Sequence, residues 1–100
     1  IVKLGNKPVS SVKATNSIST TATNFPNPFS DKTHIQFGKA VESVSQLIIY
    51  NVLGEEIRAL LIPAGTESIT LNREKLPTGI YVYHLVSAGI IIGQGRMVVQ

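Results

Sequence analysis

The sequence has no cysteine, no tryptophan and one methionine, and only 15% of its residues are charged. Without cysteine there is no disulfide framework, no thiolate metal site and no cysteine nucleophile, and the compartment is left open. Stability must come from packing alone. No apolar run approaches the ~20 residues that a bilayer-spanning helix needs. The opening Ile1-Val2-Lys3-Leu4 is neither an initiator methionine nor the basic start of a signal peptide, so the chain reads as a piece of a longer one. The nine Lys and Arg residues are scattered singly and the formal net charge is +3. A dedicated nucleic-acid surface is therefore not expected, although weak attraction to an anionic partner is permitted.

What remains is enough chain, at 100 residues, for one domain with a modest core. Its organising stretch is Asn24-Phe25-Pro26-Asn27-Pro28-Phe29. Each proline fixes φ near −65° and lacks an N–H, and the residue before each is pushed toward extended backbone. The segment must be extended or turning, and at least one of its two phenylalanines is expected to anchor it to a core. Upstream, Ser10 to Thr23 is rich in Ser and Thr with only isolated apolar residues. Such composition reads as a linker that is extended, mobile and open to proteases. Residues 1–23 are accordingly assigned to a linker or the end of a preceding domain, and residues 24–100 to one folded unit. Ile1 to Leu4 fits either a short strand or a frayed domain end.

Downstream of the corner, apolar residues recur with a period of two, the signature of strands. In Thr33-His34-Ile35-Gln36-Phe37, Ile35 and Phe37 face a core and His34 and Gln36 face out. From Val44 to Tyr50, Leu47 and Ile49 share one face and Ile48 and Tyr50 the other, so this strand is central or has its second face covered. Asn51-Val52-Leu53-Gly54 forms a turn, with Asn51 bonding its own backbone and Gly54 free to take positive φ, and Glu56 to Leu61 returns as a hairpin. After a break at Ile62-Pro63-Ala64-Gly65, Glu67 to Leu71 alternates through Ile69 and Leu71. Leu76-Pro77-Thr78-Gly79 turns into Ile80 to Val86, the most strongly β-favouring run, in which Tyr81 and Tyr83 pack inward with their hydroxyls at the rim. Ser87-Ala88-Gly89 leads to the last strand, Ile90 to Val99, where Gly93 and Gly95 mark a bulge or a close backbone approach. With the proline corner counted as a short edge strand, about seven strands predict an all-β, immunoglobulin-like antiparallel β-sandwich.

A search for chemistry finds none. The two histidines, His34 and His84, sit singly at outward strand positions, and no histidine spacing suggests a metal site. The six acids, Asp31, Glu42, Glu55, Glu56, Glu67 and Glu74, lie in or beside turns, where solvated carboxylates belong. The serines cluster in the linker with no nucleophile elbow and no phosphate-cradling glycine loop. The residues read as a non-catalytic domain without metal or cofactor.

Five segments in order carry a resemblance: Asn24-Phe25-Pro26-Asn27-Pro28-Phe29, Thr33-His34-Ile35-Gln36-Phe37, Ile49-Tyr50-Asn51-Val52-Leu53-Gly54-Glu55-Glu56-Ile57, Leu76-Pro77-Thr78-Gly79-Ile80-Tyr81-Val82-Tyr83 and Gly95-Arg96-Met97-Val98-Val99. Together they resemble the type A C-terminal sorting domain of the Bacteroidetes type IX secretion system, over Asn24 to Gln100. An aliphatic residue or Tyr often stands in that family where this chain has Phe25, and Lys where it has Arg96. The immunoglobulin-like modules of flagellar hook-assembly proteins show a similar strand pattern. A Ser/Thr linker in front and a short basic-apolar tail at the end match the sorting domains.

The resemblance implies a non-catalytic secretion address. A cargo domain precedes it, and the outer-membrane translocon recognises the folded domain. A sortase-like protease then removes it, leaving the cargo at the cell surface or outside after transit through the periplasm. Carried onto this chain, translocon recognition falls on Gly95, Arg96, Met97, Val98, Val99 and Gln100. Cleavage falls in Thr20, Thr21, Ala22 and Thr23, and Pro26, Asn27, Pro28, Gly54, Gly79 and Tyr81 are motif residues that shape the fold. An exposed terminal edge strand can be read by backbone pairing and also permits a weak homo-dimer. The competing reading is a structural spacer, adhesion module or carbohydrate-binding accessory domain of a secreted protein.

Overall fold

The computed structural model describes residues 20–100. They form eight strands: β1 (Thr20–Thr21), β2 (Thr23–Phe25), β3 (Lys32–Gln36), β4 (Ser45–Tyr50), β5 (Glu56–Ile62), β6 (Ser68–Asn72), β7 (Gly79–Ser87) and β8 (Ile90–Val99). The described residues include no helix. One sheet has the order β1-β8-β7-β4-β5 and the other β2-β3-β6, and together they make a β-sandwich. Every pairing is antiparallel except that of β1 on β8, which is parallel.

The alternation read from sequence decides which side chains fill the sandwich. Ile35 of the smaller sheet, and Phe37 just beyond β3, join one core cluster with Leu47, Ile49, Tyr81, Tyr83, Leu85, Met97 and Val99 of the larger sheet, all buried. Because one strand step moves a side chain to the opposite face, Ile48, Tyr50, Val82, His84 and Val98 face outward and are half-buried. β4 is central, flanked by β7 and β5.

The hairpins follow from their turn chemistry. Gly54 sits at φ 85°, a conformation that a side chain would resist, and Asn51 Oδ1 accepts from the N–H groups of Leu53 at 2.9 Å and Glu55 at 3.0 Å. In β8 the pairing runs Leu85 with Gly93 and then Val86 with Ile91, leaving Ile92 as the extra residue of a bulge. Gly95 marks the close approach. It pairs with Tyr83, and a Cβ there would fall on Oη and Cζ of the Tyr83 ring, with Cε1 at 2.9 Å.

Two expectations are corrected. The proline corner is not itself a strand: β2 stops at Phe25, Pro26 to Pro28 bend, and Phe29 makes a single bridge to Val99. Prolines have no N–H to lend a ladder, which is why pairing stops and restarts around them. Of the two phenylalanines only Phe29 anchors the corner, at 2% exposure, while Phe25 is 79% exposed. Thr20 to Thr23, expected to be open linker, lie in or between two short strands, β1 paired to Gly93 and Gln94 and Thr23 paired to Gln36. Backbone hydrogen bonds require no apolar side chain, so polar composition does not prevent pairing once a partner strand is present, and the buried Ala22 seals the junction. The rest of the Ser/Thr stretch, and Ile1 to Leu4, lie outside the described residues.

Candidate functional site

The last strand and the proline corner form one unit. Asn27 lies beside β8 and uses its side-chain amide as a strand would use its backbone: Nδ2 donates to the carbonyl of Arg96 at 3.1 Å, and Oδ1 accepts from the N–H of Val98 at 2.9 Å. Main-chain bonds continue the ladder on both sides. Ala22 N–H donates to Gln94 O at 2.9 Å, Phe29 N–H to Val98 O at 3.0 Å, and Gln100 N–H to Phe29 O at 2.8 Å. Between two prolines that lack donors, an asparagine side chain restores the donor and the acceptor that the ladder would otherwise lose.

Behind Asn27 stands a second asparagine. Asn24 Nδ2 donates to Thr33 Oγ1 at 3.2 Å, Thr33 Oγ1 donates to the carbonyl of Pro26 at 2.7 Å, and Tyr83 Oη donates to Asn24 Oδ1 at 3.3 Å. Thr33 and Tyr83 are fully buried, so these bonds satisfy polar atoms that water cannot reach. Burial pushes the Tyr83 hydroxyl up to about 12 from the usual 10.0, keeping it a neutral donor. The protonated form is favoured in the folded state. Stability from this group is therefore full below pH 10, where the unfolded tyrosine is also neutral, and is lost as pH rises toward about 12. The total loss is roughly 2–3 kcal/mol. Urea midpoints measured between pH ~9 and ~12 should fall in the native chain and change less in Tyr83→Phe; parallel curves would refute this origin.

The family model for the secretion system C-terminal sorting domain matches residues 23–100. The chain belongs to that family. No curated protein matches it. This sorting domain is a C-terminal sorting signal for type IX secretion: it acts with the secretion machinery and a preceding cargo, and it directs export to the cell surface or beyond.

Within the sorting domain, the tail residues singled out from sequence divide sharply. Met97 and Val99 are fully buried and belong to the core, Gly95 lies under Tyr83, and Arg96 and Gln100 are exposed. The tail is also not a free edge, contrary to expectation. From Gln94 to Gln100 its outer side is occupied by Ala22, Asn27 and Phe29, so neither an incoming strand nor a second copy can pair there without displacing them. Pro26 and Pro28 frame Asn27, both through cis peptide bonds, Gly79 opens β7 opposite Val99, and the Tyr81 hydroxyl donates to Pro77 O at 2.6 Å. Tyr81 and Tyr83 are buried and provide no aromatic platform for a sugar. Among the described residues, no three His, Asp or Glu side chains converge as a metal site would require.

Sequence reasoning passed over Arg73. Its Nε donates to Leu76 O at 2.9 Å, Nη1 to Gln100 O at 2.6 Å and to Ser30 O at 3.2 Å, and Nη2 to Thr78 Oγ1 at 3.2 Å. One guanidinium thus ties the tail to the corner and to the connection before β7. In sequence it is simply a charged residue in a polar turn, because its acceptors Ser30 and Gln100 are remote along the chain.

Proposed function

We propose that the secretion machinery reads the outer, side-chain face of the last strand, at Arg96, Val98 and Gln100, and that Gly95, Met97 and Val99 serve recognition by holding that face in place. The observation that carries this reading is the Asn27 clasp: with the strand's backbone edge occupied, its outward side chains are what a receptor meets. The domain has no catalytic part of its own. It passes through the periplasm behind its cargo, is recognised at the outer-membrane translocon, and is removed by a sortase-like protease that leaves the cargo on the surface.

The cut falls upstream of Thr20. The paired backbone of Thr20–Thr21 and Thr23–Phe25 is a poor protease substrate, since cleavage needs an extended segment free of its ladder partners. The folded unit accordingly includes Thr20 to Thr23 as well as the residues from Asn24 onward.

Deleting Gly95 to Gln100 would remove core residues Met97 and Val99 and so test folding rather than recognition. The informative comparison is a periplasmically targeted fluorescent protein carrying Ile1 to Gln100 at its C-terminus, native or with Arg96→Glu and Val98→Thr, in a host with a type IX system. The native fusion should reach the medium or surface and the substituted one, still folded, should accumulate in the periplasm at least several-fold. Equal export would refute recognition through this face.

A further inference from the structure

The β4–β5 turn presents two apolar side chains to water on an unusually well-fixed support. Val52 is 73% exposed and Leu53 79%. Beneath them the loop is closed by Asn51 N–H to Glu55 O at 3.0 Å, Gly54 N–H to Asn51 O at 3.0 Å, the two bonds accepted by Asn51 Oδ1, and Asn51 Nδ2 to Glu55 Oε1 at 2.8 Å. Turn tips are ordinarily polar because their side chains stay solvated. Here five hydrogen bonds and one positive-φ glycine hold Val52 and Leu53 away from the core that their composition would favour.

From this we propose that Val52 and Leu53 are a binding knob, inserted into an apolar pocket with a basic rim on the component of the secretion machinery that receives the folded domain. The proposal rests on the sorting reading and names a second contact for it. Three observations select the occupant. Exposed Glu55 and Glu56 form an acidic collar under the tip, and no Lys or Arg lies between Asn51 and Ile57, so a basic rim is complementary and an anionic lipid surface is not. A knob of two side chains buries far less than the ~1,600 Å² of a standard stable interface when it meets a flat copy of itself, whereas a concave partner encloses it from several sides. The support is also rigid, so little conformational entropy is lost when the tip is bound.

The knob lies at the same end of the sheet as the proposed tail contact. Tyr50, Val82 and Arg96 are register partners across β4, β7 and β8, and Ile80 pairs with Val98 two residues further on. A single receptor can thus span both, with the tail's outward side chains and the tip as separate anchors.

The test uses the same fusion of the full 100-residue chain, native, with Val52→Ser and Leu53→Ser together, or with the conservative pair Val52→Ile and Leu53→Met. Purified chains are checked for thermal midpoint and for mass by light scattering. Exposed tip residues contribute little to packing, so the serine variant should melt within about 3 °C of native. Its export should fall roughly tenfold or more while the conservative variant is exported normally. Native and serine fusions exported equally would overturn the knob and leave the sorting reading intact. A native fusion that stays in the periplasm would overturn both. A native dimer that the serine pair dissolves would assign the tip to a second copy instead, which also refutes the proposal.

Discussion

Replacing Gly95 with alanine is expected to lower the thermal midpoint of the sorting domain by roughly 10 °C, corresponding to about 2 kcal/mol of overpacking. The new methyl group would occupy the space of the Tyr83 ring, touching Oη and Cζ and lying 2.9 Å from Cε1. Tyr83 is fully buried, so the ring has no solvent to swing into, and any rotation breaks its bond to Asn24 and loosens the asparagine pair behind the corner. A cross-strand pair of aromatic ring and glycine is a mutual fit, in which the ring covers the strand that lacks a side chain. Tyr83→Leu removes the ring tip and should recover part of the loss when combined with Gly95→Ala, although it is itself destabilising through lost volume. Additive effects in that double-mutant cycle, or a Gly95→Ala domain that melts like the native one, would show that ring and glycine are not energetically coupled.

Arg73→Met should be the most damaging single change at a partly exposed position, costing about 2–4 kcal/mol. Methionine preserves much of the aliphatic stem, so the loss reports on the guanidinium and its four acceptors, Leu76 O, Gln100 O, Ser30 O and Thr78 Oγ1. The backbone of Arg73 is equally engaged: its N–H donates to Asp31 O at 2.8 Å, and its carbonyl accepts from Leu76 N–H and from Arg58 Nη2 at 3.1 Å. Lysine offers one point charge in place of a planar fork and cannot reach carbonyls on three separate segments together, so Arg73→Lys should restore less than half of the loss. Denaturant midpoints for the Met and Lys variants decide the matter. Values within about 0.5 kcal/mol of native for both would mean that the network adds nothing beyond solvation.

The parts of the fold legible in the sequence are those governed by local rules. Alternation placed Ile35, Leu47, Ile49, Tyr81 and Tyr83 inside, and turn chemistry placed the hairpin at Asn51 to Gly54. The parts that escaped depend on partners far along the chain. Thr20 to Thr23 look like linker because nothing within reach in sequence can pair with them; their partners are Gly93, Gln94 and Gln36. Asn27 looks like a turn residue between prolines, and only the distant Arg96 and Val98 reveal that it acts as a piece of strand. Arg96 and Val98 could be singled out as tail residues, but whether the tail's edge was open or closed depended on those same long-range contacts. The exposed pair Val52 and Leu53 was visible as sequence, yet its significance rests on how firmly the loop beneath it is held.

The parallel course of the first described strand beside the last has a mechanical consequence. Thr20 and Thr21 run alongside Gly93 and Gln94, and Phe29 bridges Val99, in the same direction. A cargo tugging on the chain ahead of Thr20, against a receptor gripping the tail near Gln100, would pull the two segments lengthwise past each other. The hydrogen bonds at Gln94, Arg96, Val98 and Gln100 would then share the load and have to yield together, whereas antiparallel neighbours peeled from one end would give way one bond at a time. With the proposed tail contact, the sorting domain would resist most strongly a pull along the line that separates cargo from receptor.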